Sequence, residues 1–185
     1  GAGTASAAEG LSYSYIDLGY TYSEYNDFQE NFGMDLEGGG ISFEGQVSVS
    51  NNVHAFLHWA DQDINYPMSL ETMAAGLGYH RSLSERTDVV FNVMYLQAKT
   101  DPDGAAFGDD YSGKGFELGL RGKLVGNWEM EGAIRYSDIG DFIDDTMFRV
   151  KTRYKFNDMF GLNVGVDVSN EVVSYNAGFR LSFGQ

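Results

Sequence analysis

Apolar and polar residues alternate along most of the chain with the period of two residues that a β-strand shows. The alternation is sharpest in the sixth segment, where Phe116, Leu118 and Leu120 are interleaved with Glu117 and Gly119. Ten segments of this kind follow one another to the end of the chain, and the third and fourth alternate less cleanly. The pattern predicts an all-β chain of ten antiparallel strands, with eight strands as the alternative.

The connections between these segments alternate in length. Four are long, namely 24–37, 60–71, 99–114 and 138–146. Four are tight and centre on Asn51–Asn52, Ser84–Glu85, Gly126–Asn127 and Asp158–Met159, and only the short connection at Asn170–Glu171 breaks the rhythm. Such alternation is typical of a transmembrane up-and-down barrel, in which the long loops are extracellular and an even strand number leaves both termini periplasmic.

Length and composition agree with a single barrel domain. A chain of 185 residues without cysteine supports one closed domain and no disulfide frame. No apolar run approaches the roughly 20 residues of a membrane helix, whereas a barrel strand needs only about 9 to 11. The Ala5-Ser6-Ala7 stretch resembles the end of a secretory signal peptide. Residues 1–8 are therefore interpreted as a signal-peptide remnant or a cloning scar, and residues 9–185 as the barrel.

Two features indicate that the apolar phase faces lipid. Most strand glycines share the polar phase, as expected where a concave interior is crowded by long side chains. Aromatic residues on the apolar phase cluster near the strand ends, which predicts two interfacial girdles. The predicted girdles are Tyr22, Trp59, Tyr95, Tyr136 and Phe148 towards the long loops, and Tyr79, Trp128, Phe156 and Phe183 towards the tight turns. A soluble, lipocalin-like barrel with the inverse orientation is the structural alternative.

Charged residues on the polar phase predict a lumen held by ion pairs. The expected network comprises Glu117, Arg121, Lys123, Glu129, Glu131, Arg135, Arg149, Lys151, Arg153, Lys155 and Asp167. Residues equidistant from a turn lie opposite each other on neighbouring strands. The pairs expected on this basis are Lys123–Glu129, Arg121–Glu131, Glu117–Arg135, Glu131–Arg153, Glu129–Lys155 and Lys151–Asp167, with Arg135 facing Arg149.

This lumen has two interpretations. A pore with an excess of basic residues would attract small anions. A barrel of about ten strands is, however, only slightly wider than the eight-stranded size that side chains fill. Long basic side chains reaching towards carboxylates would then plug it. The residues favour the plug and leave the pore as the alternative.

The loops and the net charge restrict the partners. The formal charge is −15, and most of the 27 acidic residues fall in the long connections. This charge argues against nucleic acid as a partner. An acidic rim is expected to be a solvated surface that could also bind divalent cations bridging to lipopolysaccharide. We expect outer-membrane lipid and lipopolysaccharide as partners, and a monomer.

Candidate catalytic chemistry is sparse. The three histidines are His54 and His80, near the tight turns, and His58, near mid-barrel with Glu44 as its expected cross-strand partner. None is predicted at the extracellular rim, and no local motif supplies a nucleophile beside a base. We expect no catalytic residue, no metal site and no cofactor, and an outer-membrane enzyme is the least favoured hypothesis.

The chain resembles the outer-membrane-protein β-barrel domain family, the small porin-like barrels of Gram-negative bacteria. Residues Ala8 to Tyr20, which read AEGLSYSYIDLGY, are similar to the mature start of xanthomonad-type members. Residues Tyr175 to Phe183 resemble the terminal strand that the barrel-assembly machinery recognises, although Gly184 and Gln185 follow the closing aromatic residue. The resemblance implies an outer-membrane location and porin-like or surface roles. It supplies no catalytic residues.

The sequence therefore predicts a non-enzymatic integral outer-membrane β-barrel with acidic extracellular loops, a charge-paired polar lumen and a surface or envelope role. A narrow porin-like channel for small solutes or ions is the alternative.

Overall fold

A computed structural model describes residues 8, 10–26, 36–65, 68–102, 109–140 and 144–183. Ten strands are present: β1 (Tyr15–Tyr25), β2 (Leu36–Ser48), β3 (Val53–Ile64), β4 (Met68–Ser84), β5 (Thr87–Pro102), β6 (Asp109–Lys123), β7 (Trp128–Asp138), β8 (Asp144–Lys155), β9 (Phe160–Val168) and β10 (Val172–Ser182). Each strand pairs antiparallel with its sequence neighbours, and β10 pairs with β1 to close the barrel. The ten-stranded prediction is confirmed, and the eight-stranded alternative is wrong.

The burial of side chains is the inverse of that in a water-soluble protein. On the outer surface Leu18 is 60% exposed and Phe179 67% exposed, whereas in the interior Arg180 is 2% exposed and Asp88 0%. A soluble barrel would bury the apolar phase, because burial of apolar surface drives folding in water. The structure therefore rejects the lipocalin-like alternative. The described part of the chain contains no helix long and apolar enough to span a membrane.

The barrel has two unlike ends. The turn end carries the four tight connections 49–52, 85–86, 124–127 and 156–159 together with residues 10–14. The loop end carries the connections 26–35, 65–67, 103–108, 139–143 and 169–171. The prediction of a long connection over residues 60–71 is wrong, because β3 continues to Ile64 and β4 begins at Met68, which leaves only residues 65–67 between them. Of the predicted signal-peptide remnant or scar, residues 1–8, only Ala8 is among the described residues, and it is buried inside the barrel at the turn end.

The register between β6 and β7 matches the prediction. Their turn is tight, with Leu124 N donating to Trp128 O at 2.8 Å and Gly126 in the left-handed region at φ 65°. Glycine adopts that conformation without steric penalty. The observed opposing residues are Lys123 and Glu129, Arg121 and Glu131, and Glu117 and Arg135.

The predicted registers of β8 against both of its neighbours, β7 and β9, are wrong by two residues. The structure places Arg153 opposite Glu129, Lys151 opposite Glu131, Asp167 opposite Arg149, and Ala133, in place of Arg135, opposite Arg149. On the turn side the Asn157 carboxamide oxygen accepts hydrogen bonds from Met159 N and Phe160 N, both 2.9 Å long, and this Asx-type turn recentres the hairpin. On the other side a long loop leaves the register open.

Candidate functional site

The inward charged side chains form three groups of ion pairs, together called the ionic cluster here. It consists of Asp17, Glu44, Glu117, Arg121, Glu129, Arg135, Arg149, Lys151, Arg153, Lys155, Asp167 and Arg180. Strands β1, β2 and β6 to β10 contribute to it, and every member has a partner of opposite charge within 4.0 Å. The interior is therefore charge-paired, since isolated buried charges are expensive.

In the part of the ionic cluster nearest the turn end, Glu129 is the carboxylate that the surrounding bases share. Its Oε2 lies 2.6 Å from Nη1 of Arg153 and 3.3 Å from Nη2 of Arg121. Its Oε1 lies 3.8 Å from Nζ of Lys155. Three bases on β6 and β8 thus share one carboxylate, which holds these strands' inward side chains together across β7.

Glu117 plays the corresponding role nearer mid-barrel. Its Oε2 accepts from Nε of Arg135 and from Nη1 of Arg149, each at 2.9 Å. The Nε of Arg149 donates to Oδ1 of Asp167 at 3.2 Å. Arg135 and Arg149, which the sequence predicts face to face, are instead joined through a shared carboxylate.

Lys151 reaches across the lumen. Its Nζ lies 3.2 Å from Oε2 of Glu44 and 4.0 Å from Oδ2 of Asp17. Because β8 and β2 are separated by four steps around the ten-stranded wall, this contact links nearly opposite sides. Arg180 completes the link by donating two hydrogen bonds to Asp17. Side chains therefore fill the middle of the barrel.

The side chain of Tyr15 lies among the charged residues that fill the barrel. The Arg180 guanidinium lies 3.2 Å from its ring centre, and Arg121 and Arg153 lie at 5.8 and 5.9 Å. The hydroxyl donates to Oε1 of Glu44 at 2.5 Å. Among the described residues, Nη1 of Arg180 and Nε of Arg121 are buried without a conventional hydrogen-bond acceptor. The Arg180 guanidinium lies over the Tyr15 ring, whereas Arg121 lies nearer to the ring of Tyr13, 4.9 Å from its centre.

The N-terminal segment, residues 10–14 with Ala8, packs into the turn end. The amide of Ala8 donates to Oδ1 of Asp88 and the hydroxyl of Tyr13 to Oδ2, both at 2.8 Å. Nη1 of Arg121 donates to the Ser12 carbonyl at 2.8 Å. Burial raises the pKa of the Tyr13 phenol above its ordinary value, so that this group remains a hydrogen-bond donor. The segment is tied to the barrel wall from two sides.

The hydrogen bonds of His54, beside this segment, define its tautomer. The side-chain amide of Asn92 donates to Glu117 at 2.9 Å, which presents its carbonyl oxygen to Nε2 of His54 at 3.1 Å. His54 then carries its proton on Nε2, and its Nδ1 lies 3.1 Å from Nδ1 of His80. Tyr13 stacks on His80 with ring centres 3.6 Å apart and an interplanar angle of 3°. Both imidazole rings therefore have structural contacts, through hydrogen bonds and stacking.

A cavity of about 390 Å³ lies in the loop-end half, above the ionic cluster. One wall, from β4 and β5, is apolar and includes Leu70, Ala74, Leu96 and Ala98. The opposite wall carries hydroxyl and amide groups, among them Thr21, Ser23, Ser174 and Asn176, and the charged floor includes Arg135, Arg149, Lys151 and Asp167. The lumen thus divides into a filled half and an open half.

Other predicted residues occupy simpler positions. Within the described residues Lys123 and Glu131 make no ion pair within 4.0 Å, although both lie on the predicted inward phase. His58 lies opposite Glu44, as expected. The described residues contain no group of three or more histidine, aspartate or glutamate side chains placed to hold a metal ion.

The predicted girdle residues lie on the outer surface. Tyr79, Tyr95, Trp128, Tyr136, Phe148, Phe156 and Phe183 are exposed, and Tyr22 and Trp59 are partly exposed. That they form two girdles at the lipid interfaces stays a prediction.

Sequence reasoning missed Tyr13 and Tyr15 as interior residues. The signal was available, because both lie at odd positions in phase with the inward Asp17 and Gly19. The apolar wall was also missed. Its signal is the loss of alternation in β5, where Met94 and Leu96 point inward between outward apolar residues.

Comparison with solved structures places this architecture among known barrels. The chain is similar to neisserial surface protein A over 93% of this chain and 98% of that one, with a TM-score of 0.51 and 14% identity. The fold is that of an outer-membrane β-barrel. The KdgM porin aligns over 92% and 99% of the two chains, with a TM-score of 0.47 and 13% identity. Ail, the attachment invasion locus protein of Yersinia pestis, aligns over 91% of this chain and 97% of that one, with a TM-score of 0.42 and 14% identity. No protein-family model and no curated protein sequence matches the chain.

Proposed function

We propose that the protein is a non-enzymatic integral barrel of the bacterial outer membrane, with a closed lumen and a surface or envelope role exerted through its acidic loop end. In this proposal the loop end is extracellular and both termini are periplasmic. The opening residues Ala8 to Tyr20 further suggest a xanthomonad-type member.

The contact of Lys151 with Glu44 and Asp17 carries the proposal of a closed lumen. It joins nearly opposite walls, and Tyr15 with its three guanidinium neighbours fills the space towards the turn end. Below them the N-terminal segment is hydrogen-bonded to Asp88 and Arg121. An ion crossing the barrel would have to displace three successive sets of contacts.

The outer surface supports insertion in a membrane. Large apolar side chains are exposed over the outer surface of the strands, among them the aromatic residues predicted to form the girdles. Apolar surface of this extent is unfavourable in water and favourable in hydrocarbon. Aromatic rings prefer the interface between lipid and water.

We propose outer-membrane lipid and lipopolysaccharide as the surrounding partners, with the barrel-assembly machinery recognising Tyr175 to Phe183. Within that strand Tyr175, Phe179 and Phe183 are exposed on the outer surface, where such recognition requires them. We propose a monomer, because closure of the sheet leaves no edge strand for pairing.

A planar-bilayer recording of the full-length wild type tests the closed lumen. We expect no stable unitary conductance in the wild type. The Glu129→Gln variant should add brief openings, since Arg121, Arg153 and Lys155 lose their shared counter-charge. Glu71→Gln is the matched control, because Glu71 pairs with Lys99 at the exposed loop end and should leave the trace silent.

Stable, salt-dependent unitary conductance in the wild type, altered by Arg149→Ala or Arg153→Ala, would reject the closed lumen and establish the narrow-channel alternative. Retention of the folded barrel in each variant is checked by heat-modifiable gel mobility. A hydrolytic activity that disappears in His58→Ala would contradict the non-enzymatic role.

A further inference from the structure

We infer that the loop-end cavity is a binding site for a small, uncharged, mainly apolar molecule that carries a hydroxyl or amide group. The inference rests on the proposed function, because a closed lumen makes this cavity a pocket that is shut on its turn-end side. Its volume of about 390 Å³ is within the range of small-molecule sites.

The apolar wall is unusual for the interior of a membrane barrel, which is ordinarily polar. Leu70 and Ala98 are buried and pack with Leu36 and Ile64, and Tyr25 lies against the same group. Ala74 and Leu96 form a second buried group with Met94, against which Ile139 packs. Outward apolar residues are explained by lipid, but these side chains face the lumen. A ligand with an apolar body would bury what remains exposed of this wall.

Polar groups on the facing wall supply the hydrogen-bonding partners. The Ser23 and Ser174 hydroxyls lie 2.7 Å apart, and the Gln62 amide nitrogen lies 3.2 Å from the Ser23 oxygen. Hydroxyl groups rotate and both donate and accept, so they can serve a ligand hydroxyl or amide. One apolar wall and one hydroxyl-rich wall therefore select a molecule with two unlike faces.

The charges of the floor argue against an ionic ligand. Arg135 and Arg149 are paired with Glu117, and Lys151 is paired with Glu44. A charged ligand would be desolvated without gaining an unpaired counter-charge there. The remaining acids of the lining, Asp145 and Glu171, lie at the loop end beside solvent, where they would disfavour the entry of anions.

Cysteine protection tests the site, because the native chain contains no cysteine. Thr72 lines the cavity on β4, so Thr72→Cys places a thiol within it. Labelling of the folded full-length variant in detergent by N-ethylmaleimide is timed with benzyl alcohol, benzoate or benzylammonium as the probe. We expect benzyl alcohol to slow labelling several-fold at a concentration where the two charged analogues have little effect.

Two control positions separate the cavity from the detergent. Ser50→Cys lies in a turn-end connection, and Val164→Cys replaces a residue that is exposed on the outer surface of β9 and does not line the cavity. Benzyl alcohol should not protect either thiol. Equal protection at all three positions, protection by the charged probes as strong as that by benzyl alcohol, or no protection at Thr72→Cys would each overturn the inference.

A second change tests the apolar wall itself. Leu70→Asn keeps the same number of side-chain heavy atoms and the branch at Cγ but makes the wall polar, and it should abolish the protection of Thr72→Cys. If that variant fails the mobility check for folding, Ala98→Ser makes a smaller change at the same wall. The labelling result is independent of conductance. A conducting barrel with selective protection would reject only the closed lumen, and a silent barrel without protection would reject only the cavity site.

Discussion

Arg180 on the last strand donates two hydrogen bonds to Asp17 on the first, so a bidentate ion pair spans the seam at which the barrel closes. Both side chains are buried, and Arg180 also stacks on the ring of Tyr15. Bidentate pairing fixes geometry as well as charge, and a lysine cannot reproduce it. The seam therefore depends on a contact between residues 163 positions apart.

Replacing Asp17 by Asn is expected to destabilise the barrel by about 3 to 5 kcal/mol, the range for breaking a buried ion pair. The measurement is urea unfolding in lipid vesicles followed by tryptophan fluorescence. Lys99→Met is the matched control. Its partner Glu71 lies 3.9 Å away with both side chains about 40% exposed, and such surface pairs contribute roughly 0 to 1 kcal/mol. Equal losses of unfolding free energy in the two variants would show that the seam pair stabilises the barrel no more than an exposed ion pair does.

Gly78 permits the contact between His54 and Asn92. A Cβ atom at this position would overlap Nε2 of His54 and the carboxamide oxygen of Asn92. Gly78→Ala should therefore lower stability by roughly 1 to 3 kcal/mol, as overpacking does. At Gly132 a Cβ would meet nothing within 4 Å, so Gly132→Ala should leave the unfolding midpoint unchanged or slightly higher. A Gly78→Ala variant as stable as the wild type would contradict the described packing.

The histidine pair has a spectroscopic signature. Long-range ¹⁵N–¹H correlation spectra of the folded protein should show His54 protonated on Nε2, as the hydrogen-bond chain from Glu117 through Asn92 requires. In Asn92→Leu the constraint on His54 is removed, and its two tautomers should exchange. A wild-type His54 protonated on Nδ1 would sink the assignment.

The two tryptophans report on the girdles. Trp128 is exposed near the turn end, and Trp59 is partly exposed towards the loop end. In vesicles, lipids brominated near the headgroup should quench both residues more strongly than lipids brominated at the chain ends. Trp59→Phe and Trp128→Phe give the single-tryptophan proteins needed to assign each signal. Stronger quenching from the chain ends would place the residues at the wrong depth.

Strand number and orientation were predictable from the sequence because period-two alternation and turn spacing are local signals. The β6–β7 register followed from the tight turn at Gly126. The β8 registers did not, because the Asn157 side chain recentres one hairpin and a long loop connects the other. Pairing residues that are equidistant from an assumed turn centre takes neither the Asn157 turn nor the length of the loop into account.

The sequence predicted the filled half of the lumen better than the open half. Charges on the polar phase revealed that the interior is paired, but contacts such as Lys151 with Glu44 join strands that are not neighbours. Pairing rules between adjacent strands cannot supply them. The cavity wall was hidden because Met94 and Leu96 make both faces of β5 apolar, which appears in sequence as weak alternation.

The seam between Asp17 and Arg180 also constrains the order in which the molecule can be made. During synthesis the first strand emerges long before the residue that neutralises it, and Glu44 precedes Lys151 by 107 positions. Contacts this distant in sequence cannot guide early steps, since loop closure must precede them. The Asp17 carboxylate must therefore stay hydrated until the last strand has been delivered, and the pairing of the interior charges is complete only when that strand is in place.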